Sequence, residues 1–205
     1  MFNYDSMLPV LIGSGVDPQD AQEYGIAGCQ EPLIMGKDNG NTTSSWLNLG
    51  KILELTLNDG CDPKTGVCLK KGMGDFTQMA SFDDLLTAWR EQILYYTQVH
   101  VTADNINDWA LEDMVPNAFC AMLVNSFLER GKHLNQGGAI YDMTSGALVG
   151  VPNVGNALAA LKKLVFEDKF LSAEDVKQAL ENNFEGARGE DIRQILTNLV
   201  PKYGE

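Results

Sequence analysis

The sequence is poor in the residues that most often hold metals: two histidines, His100 and His133, and four cysteines, Cys29, Cys61, Cys68 and Cys120, in 205 residues. None of them falls into the C-x-x-C or H-x-x-x-H spacing that brings ligands together on one knuckle or helical turn, so a zinc centre is not expected. A chain of this size without a secretory signal has little use for disulfides, and the cysteines are read as reduced thiols. Basic residues are also scarce, 15 against 28 acidic ones, and the net charge of −13 opposes both a phosphate backbone and an anionic membrane. No basic run exceeds Lys70-Lys71 or Lys162-Lys163. No apolar run approaches the ~20 residues that a spanning helix needs, and Met1-Phe2-Asn3-Tyr4-Asp5 has neither the basic nor the apolar character of a targeting segment. These absences exclude nucleic-acid and membrane partners and lead to the expectation of a cytoplasmic protein.

What remains, 44% hydrophobic and 21% charged residues, is the balance of a globular chain able to bury a core. Helical spacing dominates. From Ser45 the positions Trp46, Leu49, Ile52, Leu53 and Leu57 recur at three and four residues, and Asn58-Asp59-Gly60 stops the pattern. Residues 62–74 read as a surface excursion, closed by Ser81 as the cap of a helix running to about Thr102. A further helix is predicted from about Asn107 to Arg130, broken near Pro116, with Trp109, Met114, Phe119, Met122, Leu123 and Phe127 buried. A glycine-rich passage, residues 137–150, precedes helices at about 156–166, from the capping sequence Ser172-Ala173-Glu174-Asp175, and at about 190–199. Strand candidates are Tyr24 to Ala27 and Ala147 to Val151, each a short apolar segment beside glycine, as buried parallel strands tend to be. With no repeat, low-complexity tract or linker, the chain reads as one unit.

The most unusual local sequence is Tyr24-Gly25-Ile26-Ala27-Gly28-Cys29-Gln30-Glu31-Pro32. A short apolar strand leads into a glycine turn carrying a thiol and a carboxylate two residues apart. In an extended segment residues i and i+2 point to the same side, so Cys29 and Glu31 can address one small molecule. Taken alone, the commoner role of such a cysteine is a small buried apolar side chain.

Gly28-Cys29-Gln30-Glu31-Pro32 resembles the Gly-Cys-x-Glu-Pro motif of glycyl radical enzymes, the pyruvate formate-lyase-like group, in its glycerol and choline lyase branch. The likeness continues in order through Lys51 to Gly60, Glu129-Arg130-Gly131-Lys132, Gly137 to Tyr141, Leu158 to Phe166, Asn183 to Gly186 and Pro201 to Gly204. The resemblance implies that Cys29 is the thiyl-radical residue that removes hydrogen from substrate, and that Glu31 is the general base for dehydration or C–N cleavage of a small hydroxylated substrate. Pyruvate formate-lyase proper uses two adjacent cysteines, whereas Gln30 follows Cys29, so acyl transfer is disfavoured. Radical decarboxylation and a formate acetyltransferase-like activity remain alternatives. Diol dehydratases of the family tend to show Trp-His-Asp where this chain has Asn41-Thr42-Thr43-Ser44-Ser45, and Thr42 and Trp46 fall near pocket positions of the choline lyase branch. Thr42 could donate a hydrogen bond and Trp46 could stack or bind a cation. Trp46 could equally belong to the core face of its helix, with Ser45 as a cap.

The implied fold is α/β and helix-rich, part of a ten-stranded α/β barrel, with residues 1–205 a fragment of the catalytic domain that contains the cysteine loop at 25–32. The Arg-Val-Ala-Gly-Tyr-like radical segment of the family does not occur in the sequence. No cofactor is therefore expected on this chain. The complete enzyme would carry a glycyl radical installed by an activating enzyme that uses S-adenosylmethionine and an iron–sulfur cluster, and could form a homodimer. The competing reading is a catalytically silent, truncated helical protein. His133, just past a helix end, and His100, within a long helix among polar residues, are not expected to be catalytic. A papain-like pairing of Cys29 with a histidine has no oxyanion motif to support it, and Lys37-Asp38-Asn39-Gly40 lacks phosphate-loop spacing.

Overall fold

A computed structural model describes residues 3–28 and 31–204, with the backbone alone at 41–44, 144 and 145. The chain forms two compact units, each from two separate stretches: Met1–Trp46 with His100–Ala147, and Leu47–Val99 with Leu148–Glu205. The expectation of one unit fails because the chain leaves the first unit and returns to it through continuous secondary structure. Helix α4 (Phe82–Met114) and strands β3 (Asp38–Asn48) and β4 (Tyr141–Val149) each carry a division point, and no flexible linker marks it.

The first unit begins with α1 (Tyr4–Gly13), whose first turn is capped by Asn3 Oδ1 accepting from Ser6 N at 2.8 Å. Asp17 caps α2 (Pro18–Gln22) in the same way through Gln19 N, with Pro18 at the first helical position, where its missing N–H costs nothing. Strands β1 (Tyr24–Ala27) and β2 (Glu31–Ile34) follow, then β3, which pairs with β4. The core of this unit is Leu11, Val16, Ala21 and Ile34, with Leu8, Tyr24, Tyr141 and Met143 packed against it. Short helices α5 (Ala118–Ala121) and α6 (Phe127–Arg130) lie beyond α4, and Gly131, left-handed at φ 61°, ends α6.

The second unit is helical. Asn48 accepts from Lys51 N at 3.0 Å and starts α3 (Leu49–Leu57), which stops where Asp59 and Gly60 turn left-handed. Ser81 and Asp84 cap each other's backbone N–H at the start of α4. Helix α7 (Val151–Leu161) runs into a π-helical turn at Lys162–Glu167. Ser172 caps α8 (Ala173–Glu181) through Asp175 N, and α9 (Gly186–Asn198) follows. Leu49, Ile52, Leu53, Phe76, Leu85, Leu161, Val176 and Ile192 are among the buried residues of its core.

Several expectations change. Tyr24–Ala27 is a strand as read, but it pairs antiparallel with β2; among the described residues the strands make two two-stranded sheets, and four strands do not close a barrel. Helix α3 begins at Leu49, because β3 extends through Ser45 and Trp46 to Asn48. The helices expected to end near Thr102 and to begin near Asn107 are one, α4, which stops at Met114 before Pro116. Trp109, Met114, Phe119, Met122 and Leu123, expected to be buried, are 65% or more exposed. Trp109 and Met114 lie on α4, Phe119 on α5, and Met122 and Leu123 follow α5; the described residues of this unit leave all five uncovered. Cys61 and Cys68 are joined by a disulfide, against the expectation of reduced thiols, because they face each other across an antiparallel bridge with Cα atoms 4.1 Å apart. No helix is long and apolar enough to cross a membrane among the described residues.

Candidate active site

The Gly-Cys-x-Glu-Pro segment begins at Gly28, directly after β1, and ends with Glu31 and Pro32 in β2. The register of β1 and β2 pairs Tyr24 with Ile34, Gly25 with Leu33, Ile26 with Pro32 and Ala27 with Glu31, so Gly28 follows the last residue of β1 and Glu31 opens β2. Gly28 takes φ +57°, a conformation that residues with a Cβ resist. Cys29 and Gln30 themselves lie outside the described residues. Glu31 stands at the first position of β2, half-buried, and its carboxylate lies back over Gly28: a Cβ at residue 28 would come within 2.5 Å of Glu31 Oε2. Pro32, whose ring removes a donor, is tolerated at the edge of this two-stranded ribbon.

The hairpin is fastened at its base. Ile34 is buried in the first unit's core, and Tyr24 stacks on Tyr4 with ring centroids 6.4 Å apart. After Ile34 the chain turns through Gly36 at φ +72°, closed by Lys37 N donating to Ile34 O at 3.0 Å. Lys37 pairs with Asp20, whose other carboxylate oxygen accepts from the Tyr141 hydroxyl at 2.8 Å, and that hydroxyl accepts from Asp17 N at 3.0 Å. The hydrogen bonds from Lys37 and then Tyr141 hold the Asp20 carboxyl below the usual carboxylate range. Of Lys37-Asp38-Asn39-Gly40, only Lys37 belongs to a turn; Asp38, Asn39 and Gly40 open β3.

Thr42 and Trp46 are both on β3, four residues apart; the side chain of Thr42 lies outside the described residues. Trp46 is 67% exposed on a strand, so it does not belong to a helical core face, and Ser45 caps no helix. Ser45 Oγ is instead hydrogen-bonded to His100 Nε2 from α4, and His100 lies 3.7 Å from Asp104 Oδ2 one turn further on. Gly146 of β4 is packed so closely on His100 and Ser45 that no side chain fits there. The i, i+4 spacing of His100 and Asp104 was the available signal for this cluster; the strand bringing Ser45 to it was concealed by a helix-like apolar pattern.

Asp38 was also missed. Burial pushes its carboxyl above the usual range, the Asp142 carboxylate adds to the effect, and its Oδ1 has no hydrogen-bond partner among the described residues. His133 follows α6 as expected; its Nδ1 is buried and likewise without a partner. No group of three or more histidine, cysteine or acidic side chains could hold a metal ion among the described residues.

A scan against protein families matches residues 1–205 to the pyruvate formate lyase-like family. Among curated relatives, a probable dehydratase of Escherichia coli K12, YbiW, is 38% identical over 210 residues, which cover 99% of this chain and 26% of that protein. Two solved structures superpose on 99% of the chain. One, from work on 1,2-propanediol dehydration in Roseburia inulinivorans, has a TM-score of 0.90, 34% identity and 26% of its own chain covered. The other is the glycerol-bound B12-independent glycerol dehydratase of Clostridium butyricum, with a TM-score of 0.89, 35% identity and 25% of its chain covered. The chain belongs to the pyruvate formate lyase-like family of glycyl radical enzymes, and it spans about a quarter of the length of the relatives it matches.

Proposed function

We propose that this chain is the cysteine-loop portion of a glycyl radical lyase acting on a small hydroxylated substrate. The observation that carries the reading is Glu31, held at the start of β2 with its carboxylate over the glycine that precedes Cys29, in a chain of this family. The glycyl radical of the complete enzyme would supply the oxidising equivalent to the Cys29 thiol. Cys29 then takes a hydrogen atom from the carbon bearing the hydroxyl, and Glu31 takes the hydroxyl proton. The carbon radical expels the neighbouring group; where that group leaves as hydroxide, the proton on Glu31 converts it to water and restores the carboxylate. Return of the hydrogen atom from Cys29 to the product radical closes the electron balance. Base and hydrogen acceptor two residues apart in the chain provide the proximity this sequence needs.

Thr42 and Trp46 are the proposed substrate contacts. Trp46 presents an exposed ring from β3, suited to stacking or to a cationic group. The stretch Asn41 to Ser45 holds no acid where diol dehydratases tend to carry one, so glycerol and propanediol are the less favoured substrates. The rest of the barrel, the radical glycine and the contact with a radical S-adenosylmethionine activating enzyme belong, in this reading, to parts of the enzyme other than residues 1–205. The exposed apolar side chains of α4 and α5 fit a chain that buries this face in the complete protein.

The experiment is to activate the complete enzyme anaerobically and offer it a panel of small diols, amino alcohols and hydroxylated amino acids. A carbonyl or alkene product formed by loss of water or amine supports the reading. A full glycyl radical signal without elimination from any of them, or with loss of carbon dioxide from a carboxylic acid instead, overturns it.

A further inference from the structure

We propose that Cys61 and Cys68 form a thiol–disulfide exchange site, opened and closed by small-molecule thiols and disulfides while the second unit stays folded. The pair lies on a hairpin that follows α3, remote in sequence from the cysteine loop, and nothing in the proposed elimination uses it.

The hairpin does not depend on the disulfide for its shape. Asp62 N donates to Val67 O at 2.9 Å and Gly66 N to Asp62 O at 2.8 Å. The Asp62 carboxylate accepts from Lys64 N at 2.8 Å and Thr65 N at 3.2 Å, and Gly66 takes the left-handed φ of +71° that the turn requires. Both ends are anchored in the same unit. Cys61 N donates to Asn58 O, Lys51 Nζ reaches Asp62 Oδ2 at 3.0 Å, and on the exit side Gln92 donates to Lys70 O at 3.0 Å. A bond that joins residues already held face to face can be broken and remade with little rearrangement.

Access and chemistry agree with this. Cys68 is exposed between Val67 and Leu69, which are 52% and 64% exposed, while Cys61 is half-buried. An external thiolate therefore meets the Cys68 sulfur first. The S–S bond breaks, Cys61 leaves as thiolate, and Cys68 carries the mixed disulfide; a second external thiolate attacks that bond, releasing Cys68 and forming the external disulfide. Two electrons pass from two external thiols to the protein disulfide, and the two cysteines take up two protons. Each sulfur also has an acceptor within reach for the thiol form, Asp59 O at 3.8 Å from Cys61 and Gly66 O at 3.6 Å from Cys68.

The test holds the folded full chain in buffers of varied reduced-to-oxidised glutathione ratio, quenches with iodoacetamide and maps the labelled peptides. Cys61 and Cys68 should gain label together as the reduced fraction rises, with unchanged far-ultraviolet circular dichroism, while Cys120, free in the structure, labels at every ratio. In oxidised glutathione, Cys61→Ser should trap glutathione on Cys68 faster than Cys68→Ser traps it on Cys61. The proposal is overturned if the pair becomes reducible only in denaturant, if both cysteines label at every ratio, or if reduction unfolds the chain.

Discussion

The carboxylate of Glu31 covers Gly28 closely enough that the space a side chain would need at residue 28 is already filled. The left-handed backbone at Gly28 and the placement of Glu31 therefore depend on each other. Gly28→Ala should cost the hairpin about 1–2 kcal/mol through the left-handed conformation alone, and more through the contact with Glu31. Amide exchange at Ala27 and Glu31 measures this. In a Glu31→Ala background the cost should shrink, because the carboxylate has gone; an unchanged cost would show that the two residues do not touch.

Asp38 gives a pH-dependent test. Its folded carboxyl titrates above the ordinary 3.8, so the fold favours the protonated form, and stability falls as pH rises from the unfolded value through the folded one. Asp38→Asn should stabilise the chain at pH 7, by about 1 kcal/mol for a half-buried acceptor without a partner. The gain over wild type should vanish below the unfolded value. Thermal unfolding at pH 7 and pH 3 reads both.

Gly146 has no room for a side chain against His100 and Ser45. Gly146→Ala should destabilise by about 1–3 kcal/mol, the usual range for overpacking. His100→Ala in the same molecule should recover part of the loss, and denaturant titration of the single and double variants separates the contributions.

Trp109, Met114, Phe119, Met122 and Leu123, all 65% or more exposed, should drive the isolated chain to associate with itself as concentration rises, despite its net charge of −13. Sedimentation velocity should show the association, and Met122→Glu with Leu123→Glu should abolish it. A wild-type chain that stays monomeric would mean the face is content with water.

The helices of the second unit were largely legible in the sequence, because capping and apolar spacing act locally: Ser81, Ser172 and the Asn58-Asp59-Gly60 stop all lie where they were read. Boundaries slipped where two patterns overlap. Ser45 and Trp46 continue the apolar spacing of α3, yet the pairing of β3 with β4 draws them into a strand, and pairing across about a hundred residues leaves no local mark. The exposure of Trp109 and Phe119 was illegible for a different reason, since periodicity reports that a face is apolar and not whether this chain covers it. The strand Tyr24–Ala27 was readable from its apolar residues beside glycine; β2 and the antiparallel register were not, because short apolar strands look alike in either direction.

The most direct measurement compares Cys29→Ala and Glu31→Gln in the complete enzyme, following the glycyl radical by electron paramagnetic resonance and product by turnover. The radical should form in both variants, with turnover lost in both: in the first because no thiol relays the hydrogen, in the second because no base takes the hydroxyl proton. Turnover that survives Cys29→Ala, or full activity in Glu31→Gln, would contradict the assignment of this pair as the reacting groups.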